Sequence, residues 1–391
     1  MRESLRIYLL ALTSLIYVIG VGGIIAALPI AVRRVGGGSL EAGAVIGIWA
    51  VVYLISSLPA GLISDRVGPR KIVPISLALN SPLGLLFTLW RSTPAYLLGR
   101  ALEGALESLI WTGILGFVAK RYRVERLGSL GIINGSMALG LSIGPALSSP
   151  LIQFYGVQAP FLMFAACSSI SSILSLISIK ESPPTSISLR GTWTRRALGE
   201  VRSGVVVLYL LATLIIGVCE SSTSSYSPKL VSHMGLPEPS SGLLLSLYYT
   251  SGLIGQFSLK FLYKAVERRM FPAISYLIAS LAFILFQLTG EPTQLLTFFA
   301  LIGLFNGINL SRVQGKLCGR FGGIESTAIG FGNMAWAIGY AFGAPIYALS
   351  LEGVLDISSW LGSLAISLFL LSLLLWPRER LKPQPTSASP R

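Results

Sequence analysis

Long apolar stretches separated by short polar breaks run along almost the whole chain. Twelve such runs are readable, at roughly 5–31, 41–63, 72–90, 95–119, 127–151, 158–179, 204–227, 241–262, 271–289, 293–315, 324–349 and 357–376. At 1.5 Å per residue, about 20 residues of helix cross a hydrocarbon core of about 30 Å. The runs therefore predict membrane-spanning helices. Strands of a membrane barrel would instead be about ten residues long with alternating polarity. Composition agrees, because only 12% of residues are charged, against about 25% in soluble domains.

The net charge of +14 suggests nucleic acid until its placement is considered. With both termini inside, 24 of the 30 Lys and Arg residues fall in inner segments. Four fall outside, and Arg100 and Arg312 lie within helices. Positive charge concentrates on the cytoplasmic side of membrane proteins, so the excess sets an orientation and no nucleic-acid partner is expected. The first run is too long for a cleaved signal peptide and is expected to stay as a helix. Cys167, Cys219 and Cys318 fall in apolar runs and read as buried small residues. No metal, cofactor or enzymatic constellation is expected. The segment Gly36 to Gly38 lacks the strand and Lys of a phosphate loop.

The polar segment 180–202 divides the runs six and six. It predicts an N-terminal six-helix bundle at 1–179, a cytoplasmic linker at 180–202, a second bundle at 203–376 and a cytoplasmic tail at 377–391. The halves echo each other at an offset near 200. Tyr8-Leu9-Leu10-Ala11 recurs as Tyr209-Leu210-Leu211-Ala212, and Pro29 and Pro228 are read as closing their helices. Gly140, Gly144 and Pro145 of helix 5 have partners in Gly339, Gly343 and Pro345 of helix 11. Small residues four apart let helices approach closely, and these are expected at the interface between the halves. Both halves start inside, which gives a parallel repeat about an axis along the membrane normal.

Twelve helices in two parallel sixes resemble the major facilitator superfamily of transporters. The inner connection between helices 2 and 3 strengthens the resemblance. Its signature is similar to Gly61, Leu62, Asp65, Arg66, Gly68, Arg70 and Lys71, with Pro69 inserted. Arg100-x-x-Glu103-Gly104 is similar to the family's helix 4 motif. Gly140-x3-Gly144-Pro145 resembles the antiporter motif, with Ser148-Ser149 in place of its final glycines. The resemblance implies an all-α fold of two six-helix bundles related by a pseudo-twofold axis. It implies that helices 1, 4, 7 and 10 line a central cavity. It also implies that Asp65 docks on the start of helix 11 and pairs with a nearby base, closing the inner gate.

Charges inside a membrane are costly and so mark functional positions. Arg100, Glu103 and Glu107 lie within about 60° of one another on helix 4 at 100° per residue. That face must point into the bundle. Glu107 is the leading proton carrier, Glu103 the second and Arg100 the modulating charge; a structural ion pair is the other reading. Glu220 ends an apolar run ahead of hydroxyl residues, as a cavity face or as helix-end polarity. Asn306, Asn309 and Arg312 follow one another at three-residue spacing, to bind substrate or bridge the halves, with Arg312 alternatively reaching the inner surface. Tyr17, Trp111 and Tyr226 are aromatic candidates for the cavity, as are Tyr248, Tyr249 and Trp336.

The expected function is alternating-access transport of a small organic solute, with proton-coupled export favoured over nutrient import or facilitated diffusion. A non-transporting sensor or scaffold is the remote alternative. A cationic or neutral substrate is favoured by a formal excess of one negative charge in the cavity. Protons and membrane lipids are the other partners, and a monomer in the cell membrane is expected.

Overall fold

The computed structural model describes residues 3–179, 199–233, 235, 240–268, 271–288 and 292–351, with Ile366 and Leu370. Eleven helices account for nearly all of them. They are α1 (Glu3–Arg34), α2 (Ser39–Val67), α3 (Pro69–Leu89), α4 (Thr93–Arg121), α5 (Arg126–Tyr155), α6 (Ala159–Ser178), α7 (Gly204–His233), α8 (Ser240–Val266), α9 (Phe271–Leu288), α10 (Pro292–Arg320) and α11 (Glu325–Leu351). Within the described residues, eight are long and apolar enough to cross a membrane. The twelfth expected run, most of the 180–202 segment and the 377–391 tail lie outside the described residues.

Several helices outrun their apolar cores. α1 continues through Pro29 to Arg34, and α7 continues through Pro228 to His233, so neither proline ends its helix. Membrane helices tolerate proline because neighbouring helices and side chains satisfy the freed backbone groups. α2 extends to Val67 and α3 begins at Pro69, leaving Gly68 as the only connection. Gly68 has φ +92°, a region that a Cβ disfavours. Pro69 then occupies the first position of α3, where its missing N–H costs nothing. The inserted proline thus starts a helix, and the expected loop is reduced to one residue.

Within the first half, α1 packs on α5 and α6, α2 on α4, and α3 on α4 and α6. Within the second, α7 packs on α11, and α10 on α8 and α9. The halves meet along α2 with α11 and α5 with α8. Small residues allow these contacts. A Cβ at Gly61 would lie 2.6 Å from the Ser326 carbonyl oxygen, and one at Gly330 would lie 2.6 Å from that of Ser57. Gly128 and Gly135 face Lys260 and Phe257 of α8 in the same way.

This corrects the expectation for the glycines of helices 5 and 11. Gly140 and Gly144 pack on Val18, Ile19 and Gly22 of α1, with Pro145 against Gly22. Gly339 packs on Leu214 and Val218 of α7. These contacts lie inside each half. Spacing by four predicts close approach but not the partner helix. Gly343 and Pro345 fall in the part of α11 whose side chains lie outside the described residues.

Several serine and threonine hydroxyls are absorbed by helix backbones. Ser14, Ser57, Thr112 and Ser136 donate to the carbonyl four residues back. Ser148 and Ser171 donate to the Gly23 and Thr13 carbonyls of α1.

Candidate functional site

The α4 charges are buried together. Ser92 caps the helix, accepting from the Ala95 N–H at 3.4 Å. Arg100, Glu103 and Glu107 are only 1%, 0% and 2% exposed, as their shared face requires. Arg100 Nη1 donates to Glu103 Oε2 at 2.6 Å. The guanidinium also lies 5.5 Å from the centroid of Trp49 on α2. Trp49 Nε1 in turn donates to Glu107 Oε2 at 2.7 Å. One indole therefore presents its face to the cation and its N–H to the second carboxylate. Arg100 Nε and Glu103 Oε1 are buried without a hydrogen-bond partner among the described residues.

Gly104 makes this possible. A Cβ there would lie 2.6 Å from the Trp49 carbonyl oxygen, so glycine lets α4 approach α2 closely enough for the indole to reach Glu107. Tyr17 of α1 is fully buried, and its hydroxyl faces Glu107. Its ring lies 5.9 Å from Trp111 and 6.2 Å from Phe164.

A second carboxylate cluster stands in the other half. Trp336 Nε1 of α11 donates to Glu220 Oε2 at 3.0 Å, and the Tyr249 hydroxyl of α8 donates to Glu220 Oε1 at 3.3 Å. Asn306 Nδ2 donates to the Tyr248 hydroxyl at 3.0 Å. Tyr248 stands edge-on to Tyr249 at 5.3 Å. Gly217, three residues before Glu220, packs directly on the Trp336 carbonyl.

Among the described residues, Asn309 and Arg312 bond elsewhere. Asn309 Oδ1 accepts from Ser275 of α9 at 3.0 Å, and Arg312 Nε donates to the Val266 carbonyl at 3.3 Å. Arg312 thus serves the C-terminal end of α8, where a cation is favoured. The physical reason is helical drift. Three residues turn a helix by about 300°, so each step falls back about 60° and Arg312 ends about 120° from Asn306. Tyr226 lies in α7, with its side chain outside the described residues.

The two halves are joined by hydrogen bonds at one end. Asp65 Oδ2 accepts from the Thr327 N–H at 2.8 Å and the Thr327 hydroxyl at 2.6 Å; its Oδ1 accepts from the Ser326 N–H at 3.2 Å. A carboxylate of α2 thus caps the N-terminus of α11, with the helix dipole in its favour. Gly61 and Gly116 form the seat for Ser326. Among the described residues no basic side chain pairs with Asp65, which corrects that part of the expectation. The backbone N–H groups supply the positive end instead. Arg66, Arg70 and Lys71 are exposed. At the same end, Asn134 Nδ2 donates to Ser311 Oγ at 2.8 Å and Gln314 Oε1 at 2.7 Å. Arg126 reaches the Gly315 carbonyl at 3.3 Å and Arg123 reaches Glu325 at 3.5 Å. Lys260 bonds the Tyr8 hydroxyl.

A sequence profile of the Major Facilitator Superfamily matches residues 10–344. The chain belongs to the major facilitator superfamily. Among its relatives in this superfamily, Multidrug resistance protein 2 of Bacillus subtilis (strain 168) is 24% identical over 369 residues, spanning 90% of this chain and 91% of that protein. Quinolone resistance protein NorA of Staphylococcus aureus (strain COL) is 23% identical over 382 residues, spanning 89% and 95%. Among solved structures, the human organic anion transporter MFSD10 superposes with a TM-score of 0.80 at 15% identity, over 96% of this chain and 100% of that one. A structure of the Escherichia coli fucose:proton symporter FucP superposes with a TM-score of 0.78 at 14% identity, over 96% and 99%. The major facilitator fold is thus established as two six-helix bundles, and the chain is a multi-pass membrane transporter rather than an enzyme.

The tryptophans at the centre of both carboxylate clusters carry a readable signal. Gly-x-x-Glu occurs at 104–107 and 217–220, and Trp-x-x-x-Tyr at 49–53 and 336–340. Each glycine packs on the carbonyl of the tryptophan whose indole holds the adjoining carboxylate. Trp49, Tyr53 and Tyr340 were missed by reasoning on charges alone.

Proposed function

We propose that this transporter is a proton-coupled exporter of a small organic solute, exchanging it for protons. Glu107 carries the proton. The observation behind this reading is a carboxylate buried in mid-helix whose ion-pairing partner is already taken. Arg100 bonds Glu103 at 2.6 Å, while Glu107 holds a neutral indole. Glu107 can therefore gain and lose a proton without breaking an ion pair. Export is the direction suggested by relatives named for multidrug and quinolone resistance.

The substrate is a cation or a neutral molecule. With Arg312 serving α8, the clusters hold Glu103, Glu107 and Glu220 against Arg100. The formal excess becomes two negative charges. The aromatic faces nearby suit a cation.

The halves, 1–179 and 203–376, are the rocking units about this midplane site, joined by the linker at 180–202. Both termini are cytoplasmic, in the cell membrane. The bonded end of the molecule, with Asp65 on α11, is then the cytoplasmic end, and the described arrangement is closed on that side. Gly61, Asp65 and Gly68 form the closing element, while Arg66, Arg70 and Lys71 set orientation.

The test is purified protein in liposomes with a pH-sensitive dye. Solute movement should carry protons, and Glu107→Gln should abolish that while the protein stays folded. Solute exchange that ignores pH in the unaltered protein would establish facilitated diffusion instead.

A further inference from the structure

The two carboxylate clusters are built alike although they stand in different halves and on helices that the internal repeat does not pair. Each has glycine seated on a tryptophan carbonyl, a carboxylate holding that indole, and a tyrosine four residues beyond. The two constructions touch. Trp49 stacks on Tyr53 with centroids 5.1 Å apart and planes at 22°. Tyr53 then meets Trp336 edge-on, at 6.3 Å and 80°. Trp336 packs on Tyr340 at 4.9 Å. An unbroken run therefore leads from Glu107 through Trp49, Tyr53 and Trp336 to Glu220, crossing from one half to the other. Tyr53 is buried, 4% exposed, and sits about twelve residues from Asp65 along α2, well away from the closed end.

We propose that Tyr53 couples the two carboxylates, so that the charge state of Glu107 in the first half sets the position of the Trp336 indole on Glu220 in the second. This deepens the proton-coupled reading and gives it a route between the halves. A protonated Glu107 is a weaker acceptor than the carboxylate, so the Trp49 indole is released to turn on its side-chain torsions. Trp49 is fixed from both sides, by Glu107 at its N–H and by Arg100 on its face. Losing one anchor changes how it stacks on Tyr53. Tyr53 is wedged between Trp49 and Trp336 and passes the change on. Glu220 then presents an oxygen to a cationic solute where it had held an indole.

Other groups surround both ends. Glu107 is faced by Glu103 and Arg100 on its own helix, by Tyr17 from α1, and by Trp49 and Tyr53 from α2. Glu220 is faced by Cys219 on its own helix, by Tyr248 and Tyr249 from α8, and by Trp336 and Tyr340 from α11. Arg100 also acts on Tyr340 across the halves.

The experiment is fluorine NMR of protein carrying 5-fluorotryptophan, titrated with pH without any solute. Seven tryptophans are present, and Trp49→Phe and Trp336→Phe assign the two resonances. In the unaltered protein the Trp336 signal should show a transition shared with Trp49. Glu107→Gln should remove it from both. Tyr53→Leu should remove it from Trp336 and leave it on Trp49, while Tyr53→Phe, which keeps the ring, should retain it on both. A Trp336 signal that lacks the shared transition in the unaltered protein overturns the proposal. So does one that keeps it in Glu107→Gln or Tyr53→Leu. The readout needs no transport, so failure of proton-coupled export in liposomes would leave this result standing, and the reverse.

Discussion

Removing the Asp65 carboxylate should loosen the hydrogen-bonded end of the molecule. Asp65→Ala deletes three hydrogen bonds, from two backbone N–H groups and one hydroxyl of α11. Loss of a helix N-cap costs about 0.5–2 kcal/mol, and hydrogen bonds to a charged group contribute about 1.5–3 kcal/mol. Water replaces part of this once the halves separate, so about 2–3 kcal/mol is a fair net figure. At 1.4 kcal/mol per factor of ten, the open population rises by roughly 30- to 150-fold. Cys318 is a native reporter. It is fully buried on α10, 3.8 Å from the Glu325 carbonyl oxygen and next to the α11 start. In a Cys167→Ser, Cys219→Ser background, labelling of Cys318 by a membrane-impermeant maleimide should accelerate by that factor in Asp65→Ala. Asp65→Asn, which keeps an acceptor and loses the charge, should fall between. An Asp65→Ala rate equal to the parent's would show that this carboxylate does not hold the halves together.

Other outcomes follow from the same geometry. Asn134→Ala removes two buried bonds across the halves, and at about 1 kcal/mol per bond should speed Cys318 labelling less than Asp65→Ala does. Gly104→Ala places a methyl 2.6 Å from the Trp49 carbonyl, and overpacking of this kind costs about 1–3 kcal/mol; the melting temperature in detergent should fall. Arg100→Leu leaves Glu103 buried without its cation and should destabilise by about 3–5 kcal/mol. Glu103→Gln added to Arg100→Leu should recover much of that loss in the same melting experiment, and no recovery would argue against the pair as drawn.

How much of this was legible depends on the distance over which each pattern acts. The α4 trio was readable because Arg100, Glu103 and Glu107 share one helix and 100° per residue fixes their common face. Asp65 and its docking place at the start of α11 were readable through a family pattern, and the hydrogen bonds from Ser326 and Thr327 lie there. The added basic partner was not found among the described residues, because the backbone N–H groups of a helix start already supply the positive end. Gly140 and Gly339 announced close packing without naming the neighbouring helix. Grouping Asn306 with Asn309 and Arg312 failed because a three-residue spacing drifts around the helix. Trp49 and Tyr53 were passed over because an aromatic residue in a membrane helix usually only packs. Their role needs α4 brought against α2 at Gly104, a contact between residues 55 positions apart.

The proposed coupling of solute movement to protons by Glu107 is decided by gradient-driven accumulation in proteoliposomes, with the poorly bilayer-permeant tetraethylammonium as the probe cation and the membrane potential clamped. An imposed pH gradient should drive the unaltered protein to accumulate the cation on the acidic side. Glu107→Gln should exchange the cation between equal pools yet accumulate none under the gradient. Accumulation by Glu107→Gln equal to that of the unaltered protein would contradict the account.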